Sequence, residues 1–226
     1  MKPLHRIVCA VAVLCLGGCQ TTSESPISAM STEDGLVRTD VKGIQSVYKR
    51  PGVNLATYDK ILLRPLIVEF AKNWQPERDG GSALYEMNPP DRERIKKDLA
   101  DAFYDVSKRV LQEQGGYRFV TEPAADVLEV QPAIVNIFIT APDVSRDNPG
   151  IVRTYTANAG EMTLIAELHD SVTGQLLARA YDRREDNRDM WQWTTSVSNT
   201  ADARRVIGEW ANQLRKALDA SRGKTG

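Results

Sequence analysis

The chain contains few of the residues that metal centres and many enzyme active sites require. Its 226 residues include only two histidines and three cysteines, and His5, Cys9 and Cys15 all lie within the first 18 residues. Zinc sites use several Cys or His ligands, so Cys19 and His169 alone exclude one. A single remaining cysteine cannot form an intramolecular disulfide. The chain also lacks a Gly-x-Ser-x-Gly motif and a phosphate-binding loop.

An excess of charge of either sign is also missing. The chain has 29 Lys and Arg residues against 30 Asp and Glu residues, for a formal net charge of −1. Dedicated nucleic-acid-binding proteins carry a strong basic excess, so we expect no nucleic-acid partner. A composition of 42% hydrophobic and 26% charged residues is typical of a globular domain and not of a disordered or multi-spanning protein.

The first 18 residues have the layout of a secretory signal peptide. Lys2 and Arg6 precede the apolar residues 7–16, a run too short to cross the roughly 30 Å hydrocarbon core of a membrane. The run ends in Leu16-Gly17-Gly18-Cys19, which resembles the bacterial lipobox. The resemblance implies cleavage between Gly18 and Cys19 and attachment of a diacylglyceryl group to the Cys19 sulfur. The alternative is a plain secreted protein with a chance cysteine.

Residues 19–46 are predicted to form a lipid anchor and a flexible tether. After Cys19 they are polar, with scattered single apolar residues and no sustained period. At about 0.8 kcal/mol per buried CH₂ group, two or three acyl chains would hold the protein at a membrane almost permanently. By resemblance to bacterial sorting rules, Gln20 favours the outer membrane, with the domain facing the periplasm; surface display is the alternative.

Residues 47–222 are predicted to form a single α+β domain. The apolar residues 60–70 predict a buried strand, with Pro65 at an edge or a bulge. An antiparallel hairpin is predicted for residues 162–183. Apolar and polar residues alternate over 162–168, residues 170–174 form a turn with Gly174 at positive φ, and residues 176–183 form the returning strand. Further strands are expected at residues 117–121 and 127–140.

Two amphipathic helices complete the predicted domain. The first is capped by Asn88 or Asp91 and ends at Gly115-Gly116, and the second begins near Asn199-Thr200. Their apolar faces are Ile95, Leu99, Ala102, Phe103, Val106 and Val110, and Ala203, Val206, Ile207, Trp210, Leu214, Ala217 and Leu218. The predicted fold is a two-layer α+β sandwich in which a mainly antiparallel sheet of about four strands carries both long helices on one face.

Two stretches resemble a proteobacterial lipoprotein family that is catalogued as a domain of unknown function, number thirty-three thirteen. They are residues 48–65, beginning Tyr48-Lys49-Arg50-Pro51-Gly52, and the hairpin at residues 168–177 with the following Asp182-Arg183-Arg184. The similarity covers most of residues 46–221, although residues 71–88 and 188–199 depart from it. It supports the lipoprotein prediction and implies no activity. The order of elements is also similar to that of envelope lipoproteins that serve as accessory subunits of transport machines, which is an analogy of fold alone.

The residues offer little support for catalysis or for metal binding. His169 precedes Asp170, but neighbours in a strand point to opposite faces, so we expect a structural histidine and no catalytic pair. Oxygen ligands alternate from Asp143 to Asp147 as in a calcium loop, yet Asn148 and Thr154 replace the required Gly and Glu. We expect an ordinary turn there, no metal and no cofactor.

The strongest candidate for a site is a cluster of Arg183, Arg184, Trp191 and Trp193. Arginine and tryptophan anchor protein interfaces and stack on sugars or anionic headgroups. The alternative, which we favour for this cluster, is that the arginines pair with nearby acids and the tryptophans cover the core.

The function predicted from the sequence is that of a lipid-anchored outer-membrane protein that binds an envelope protein partner as a non-enzymatic accessory subunit. One alternative is a periplasmic lipoprotein that binds a lipid or a glycan. A less favoured alternative is a hydrolase with an unrecognised site.

Overall fold

A computed structural model of the protein describes residues 32–72, 89–138, 155–193 and 196–224. The strands are β1 Val37–Thr39, β2 Ser46–Lys49, β3 Lys60–Leu63, β4 Ile67–Phe70, β5 Arg118–Phe119, β6 Val127–Phe138, β7 Tyr155–Asp170 and β8 Leu176–Trp193. The helices are α1 Pro89–Ser107, which continues as a π-helix over Lys108–Gln114, and α2 Ser196–Ser221. The predicted cleavage site at Gly18 and Cys19 and the turn at Asp143–Asp147 lie outside the described residues.

All eight strands belong to one mixed sheet. The strand order is β1-β2-β8-β7-β6-β3-β5, and β4 pairs with the far part of β6. The pairs β3–β5, β3–β6 and β4–β6 are parallel, whereas the other neighbours are antiparallel. The predicted α+β class with two long helices is confirmed, but the prediction of about four mainly antiparallel strands is wrong.

Part of this error comes from residues 60–70, which form two strands and not one. Pro65 lies between β3 and β4 and has no N–H to donate to a ladder. On either side of it, Ile61 is in register with Leu128 and Val68 with Ile134, so both strands follow β6. Proline therefore divides one apolar run into two short strands.

The other part comes from residues 32–49, which contain β1 and β2 although the sequence predicts no strand there and assigns residues up to 46 to the tether. Leu36 is fully buried, and β1 pairs with β2, which in turn pairs with β8. The three side chains of β1 are exposed, so this strand shows no hydrophobic alternation. The described part of the domain thus begins at Thr32, well before the predicted boundary at residue 47.

Both long helices pack on the same face of the sheet. Register aligns Val68, Ile134 and Leu164 across β4, β6 and β7, so that their side chains share one face. They form one core cluster with residues of both helices, which include Ala102, Phe103 and Val106 of α1 and Val206, Ile207 and Trp210 of α2. We call this side of the sheet the helix face.

A second core cluster lies where the helices end. It contains Tyr58, Tyr117, Leu128, Leu218 and other apolar residues. The π-helix supplies both clusters, with Val110 in the first and Leu111 in the second. Most of the predicted apolar face of α2 is confirmed, but Ala217 is exposed and Ala211 is buried in its place.

The hairpin of β7 and β8 is confirmed. Gly174 has a φ of 69°, in the left-handed region that glycine adopts without strain. The Asp170 carboxylate closes the turn by accepting hydrogen bonds from the backbone N–H groups of Val172 and Thr173 at 3.1 and 2.7 Å. No helix within the described ranges is long and apolar enough to cross a membrane.

Candidate functional site

The side of the sheet opposite the helices carries charged and aromatic residues, and we call it the polar face. Ala178 and Leu164 point into the core, so alternation directs Arg179 and Ile165 to the other side. Residues assigned to the polar face in this way, or by their contacts with it, are Tyr48, Arg64, Glu129, Glu161, Glu167, His169, Arg179, Tyr181 and Arg183.

One end of the polar face is an arginine–carboxylate pair between neighbouring strands. Arg64, just after β3, donates from Nε and Nη2 to the two carboxylate oxygens of Glu129 on β6, at 2.8 and 3.0 Å. Gln131 donates a third hydrogen bond to the same carboxylate at 2.8 Å. The hydrogen bond from Arg64 is the main reason that the pKa of Glu129 lies below its usual value, although burial opposes the shift. This carboxylate is therefore ionised at neutral pH and is held in a fixed orientation.

A second group of ion pairs continues across β7 and β8. Arg179 donates from Nε to Glu167 at 2.7 Å and from Nη1 to Asp34 at 2.9 Å. Burial raises the pKa of Glu167, but hydrogen bonds from Arg179 and His169 outweigh it, so the pKa lies below its usual value. A lowered pKa suits a carboxylate that pairs with a cation, whereas a general acid at neutral pH needs a raised one.

His169 links these two groups. It is in register with Glu129, and its side chain is only 15% exposed. Its Nδ1 lies 3.1 Å from the Gly174 carbonyl oxygen and its Nε2 lies 3.1 Å from Glu167, so both ring nitrogens face acceptors. Asp170 has different partners, which include the Tyr58 hydroxyl at 2.9 Å. As the alternation along a strand predicts, the two neighbours have separate surroundings.

The structure separates the two predicted interface arginines. Arg183 lies on the polar face and pairs with Glu161 and Glu185, each at 2.6 Å. Arg184 lies on the helix face, where it donates to Asp182 at 2.6 Å and to the Gly43 carbonyl oxygen at 2.7 Å. Trp191 and Trp193 lie in the last part of β8, with Trp193 in register with Tyr155. Their side chains are outside the described part of the chain, so their role in an interface stays a prediction.

Asp182 is a buried carboxylate that sequence reasoning missed. It is 4% exposed and accepts hydrogen bonds from Trp210 Nε1 at 2.7 Å and from the Gln45 backbone N–H at 2.8 Å, besides that from Arg184. Three consecutive charged residues, Asp182-Arg183-Arg184, are typical of an exposed segment. Only the register of Asp182 with the core residue Leu164 shows that its side chain is buried. Asp182 therefore joins the N-terminal segment, β8 and α2.

A groove of about 390 Å³ lies where β3, β5 and β6 begin. Lys60 and Arg118 line it from adjacent parallel strands and are in register with each other. Lys60 forms an ion pair with Asp126, which is the main reason that the pKa of Asp126 lies below its usual value. The two cations are far apart in the sequence, so no motif indicates the groove. Across the described ranges, no group of three or more His, Cys, Asp or Glu residues is placed to hold a metal ion.

The chain belongs to the family described as "Protein of unknown function (DUF3313)", whose model matches residues 28–214. The family resemblance seen in the sequence is therefore confirmed, and the match begins before β1. No curated protein matches the chain.

Solved structures show only distant similarity. A PelC variant dodecamer from Paraburkholderia phytofirmans has 16% sequence identity and a TM-score of 0.41, over 75% of this chain and 95% of that chain. A DUF330 protein from Xanthomonas campestris has 13% identity and a TM-score of 0.34, over 78% of this chain and 94% of that chain. These values are too low for any functional inference.

Proposed function

We propose that the protein is a lipoprotein of the bacterial outer membrane, and that its domain holds a protein partner near the membrane without catalysing a reaction. The observation that carries this proposal is the sequence Leu16-Gly17-Gly18-Cys19 at the end of a short apolar run. Cleavage before Cys19 and acylation of its sulfur would leave the domain attached to the membrane by its N-terminus. Attachment by acyl chains requires no membrane-spanning helix.

The way the N-terminal segment enters the domain supports a role close to the membrane. Residues 20–31 connect Cys19 to the first described residue, Thr32, and a fully extended chain of that length spans at most roughly 45 Å. Asp34 pairs with Arg179 on the polar face. The polar face therefore lies beside the point at which the tether reaches the domain.

The composition of the polar face supports the binding of a protein. Arg64 and Arg183 remain 51% and 47% exposed although both are ion-paired, and Tyr48 on β2 and Tyr181 on β8 are half-buried on the same face. Arginine and tyrosine are enriched among residues that dominate binding energies. Because neighbouring carboxylates already orient the arginines, a partner would have to order few side chains on binding.

The experiment that tests the anchor compares the full chain with its Cys19→Ser variant. We expect incorporation of labelled palmitate and recovery in the outer-membrane fraction for the unaltered chain, and loss of both for Cys19→Ser. Membrane recovery that is unchanged by Cys19→Ser would overturn the anchor.

A separate experiment tests the partner. Proteins crosslinked in intact envelopes are captured through a C-terminal tag, and we expect a stoichiometric partner that is lost with Arg183→Ala and with the double variant Trp191→Ala/Trp193→Ala. Arg205→Ala is the matched control, because Arg205 is also exposed and ion-paired, to Glu209 at 2.9 Å, but lies on α2. Capture that is equal in all variants would exclude the polar face as the interface.

A further inference from the structure

The groove at the start of β3, β5 and β6 lies at the opposite edge of the sheet from β1, where the tether enters. It is a shallow groove of about 390 Å³ that is open to solvent, so a bound ligand would stay partly exposed. The groove lies at the β5 end of the polar face and contains no residue of β8, the strand that carries Arg183, and the inference drawn from it goes beyond the proposed function.

Two cationic side chains line this groove, and only one of them forms an ion pair with a described residue. Lys60 and Arg118 are in register on adjacent parallel strands, which places their side chains side by side. Like charges in this position repel each other unless an anion lies nearby. Asp126 neutralises Lys60, whereas Arg118 is exposed and has no ion pair with any described residue. Glu122 also lines the groove but forms no ion pair with Arg118.

The remaining walls of the groove are mainly apolar. Val120, Ala124 and Val127 line it beside the two cations, and Thr121 adds a hydroxyl group. An apolar surface with a few convergent polar groups is the usual composition of a small-molecule site. This combination fits a ligand that carries an oxyanion at one end and a short apolar portion next to it.

We propose that the groove binds such an amphipathic oxyanion, with the carboxylate or phosphate group on the guanidinium of Arg118. Guanidinium presents two parallel N–H donors to an oxyanion, which gives both charge and geometry. Lys60 lies next to Arg118 but is already paired with Asp126, so Arg118 supplies the charge for the oxyanion, and the apolar portion of the ligand lies against Val120 and Ala124. The ligand is either a small soluble anion or the headgroup of an anionic lipid.

The test uses the full chain in a non-ionic detergent, with hexanoate and inorganic phosphate as probes and NMR titration of the backbone amides of residues 118–124 as the readout. We expect saturable shifts with hexanoate, and a loss of affinity of about tenfold or more in Arg118→Gln. Arg118→Lys keeps the charge but not the paired donors, so its affinity for hexanoate should lie between that of the unaltered chain and that of Arg118→Gln. Arg38→Gln is the matched control, because Arg38 is an exposed arginine on β1, the edge strand at the other end of the sheet.

The outcomes separate the two sources of ligand and the two proposals. A second arm repeats the hexanoate titration in nanodiscs of phosphatidylglycerol or of phosphatidylcholine. Equal hexanoate affinity in both lipids indicates that the ligand is a soluble anion. A lipid headgroup is indicated by shifts of the same amides in phosphatidylglycerol nanodiscs alone, which Arg118→Gln abolishes. Shifts that are equal in Arg118→Gln and Arg38→Gln, or no saturable shift with any probe, would overturn the groove proposal. Neither result would affect the crosslinking test on the polar face.

Discussion

The two faces of the sheet both use charged residues, but they connect different parts of the chain. On the helix face, the Asp182 carboxylate receives donors from the segment before β2, from β8 and from α2. On the polar face, Glu167 receives donors from its own strand and from the strand beside it. The contacts of Asp182 on the helix face thus join a strand, a helix and the N-terminal segment, whereas those on the polar face mainly link neighbouring strands, with the pair between Arg179 and Asp34 as an exception. We infer that the first set stabilises the fold and that the second set forms an adjustable surface.

The largest expected effect tests the helix face at Trp210. Its side chain is 4% exposed within the core, and its Nε1 donates to Asp182. Trp210→Ala removes the packing of a large aromatic side chain and one donor to a buried carboxylate, so we expect a loss of about 3–5 kcal/mol in the free energy of unfolding. Urea unfolding followed by circular dichroism measures it.

Val172→Ala is the control for this variant, because Val172 is an exposed apolar residue in the hairpin turn. It should leave the unfolding midpoint unchanged. A loss below about 1 kcal/mol for Trp210→Ala would show that the core near Asp182 is less tightly packed than the contacts indicate.

A buried tyrosine provides the next test. Burial, together with the hydrogen bond from its hydroxyl to Asp219 at 2.7 Å, raises the pKa of Tyr117 to about 12. The ordinary value of 10.0 applies in the unfolded chain, so the stabilisation is complete below pH 10 and is lost as the pH rises towards about 12. At 1.36 kcal/mol per pH unit, this amounts to about 2–3 kcal/mol.

The Tyr117→Phe variant assigns this alkaline loss to one residue. At neutral pH, we expect it to lower stability by about 1–3 kcal/mol, because the buried Asp219 loses a donor. Between pH 10 and 12 its stability should fall less steeply than that of the unaltered chain. Tyr58, whose pKa burial and Asp170 also raise to about 12, should account for the remaining slope. Equal slopes in both proteins would show that Tyr117 is not the titrating group.

Adjacent arginines on β8 compare the two faces directly. Arg184→Ala leaves the buried Asp182 with two donors in place of three, so we expect a loss of about 1–3 kcal/mol in stability. Arg183→Ala removes pairs that are open to solvent, and the unfolding midpoint should not change measurably. Paired thermal unfolding curves test this. Equal destabilisation by both variants would contradict the difference between the faces.

The sequence predicts the parts of the fold whose signals are local. The hairpin is predictable because Gly174 and the alternation on either side of it are contiguous in the sequence. Both helices are predictable because their apolar spacing repeats over several turns. The strand β1 is not predictable, because Val37–Thr39 is short and exposed and its pairing with β2 leaves no local pattern in the sequence.

Sites that depend on the register between distant strands could not be predicted in the same way. Alternation along a strand implies that Arg183 and Arg184 point to opposite faces, but the pairing of Leu164 with Asp182 decides which of them points to the helices. The groove depends in the same way on the parallel register of Lys60 with Arg118. Neither pairing leaves a pattern within a single stretch of sequence.

The smallest expected effect concerns the polar face in acid. Because the pKa of Glu167 lies below its usual value of 4.5 in the folded protein, its pairing contributes stability above that pH. The contribution is lost as the pH falls below 4.5 and through the lowered pKa of the folded state. Glu167→Gln should therefore cost under about 1 kcal/mol at neutral pH, and should make stability less dependent on pH in acid. Glu113→Gln, a change at an exposed residue of the π-helix, serves as the control.

If Glu167→Gln and the unaltered chain lose stability in parallel from neutral pH to pH 3, the ion pair with Arg179 contributes nothing to the fold. Side chains of the polar face could then exchange their ion pairs with one another for ion pairs with a partner at no cost in stability. In that case we expect Arg179→Ala to abolish capture of the partner while leaving the free energy of unfolding unchanged.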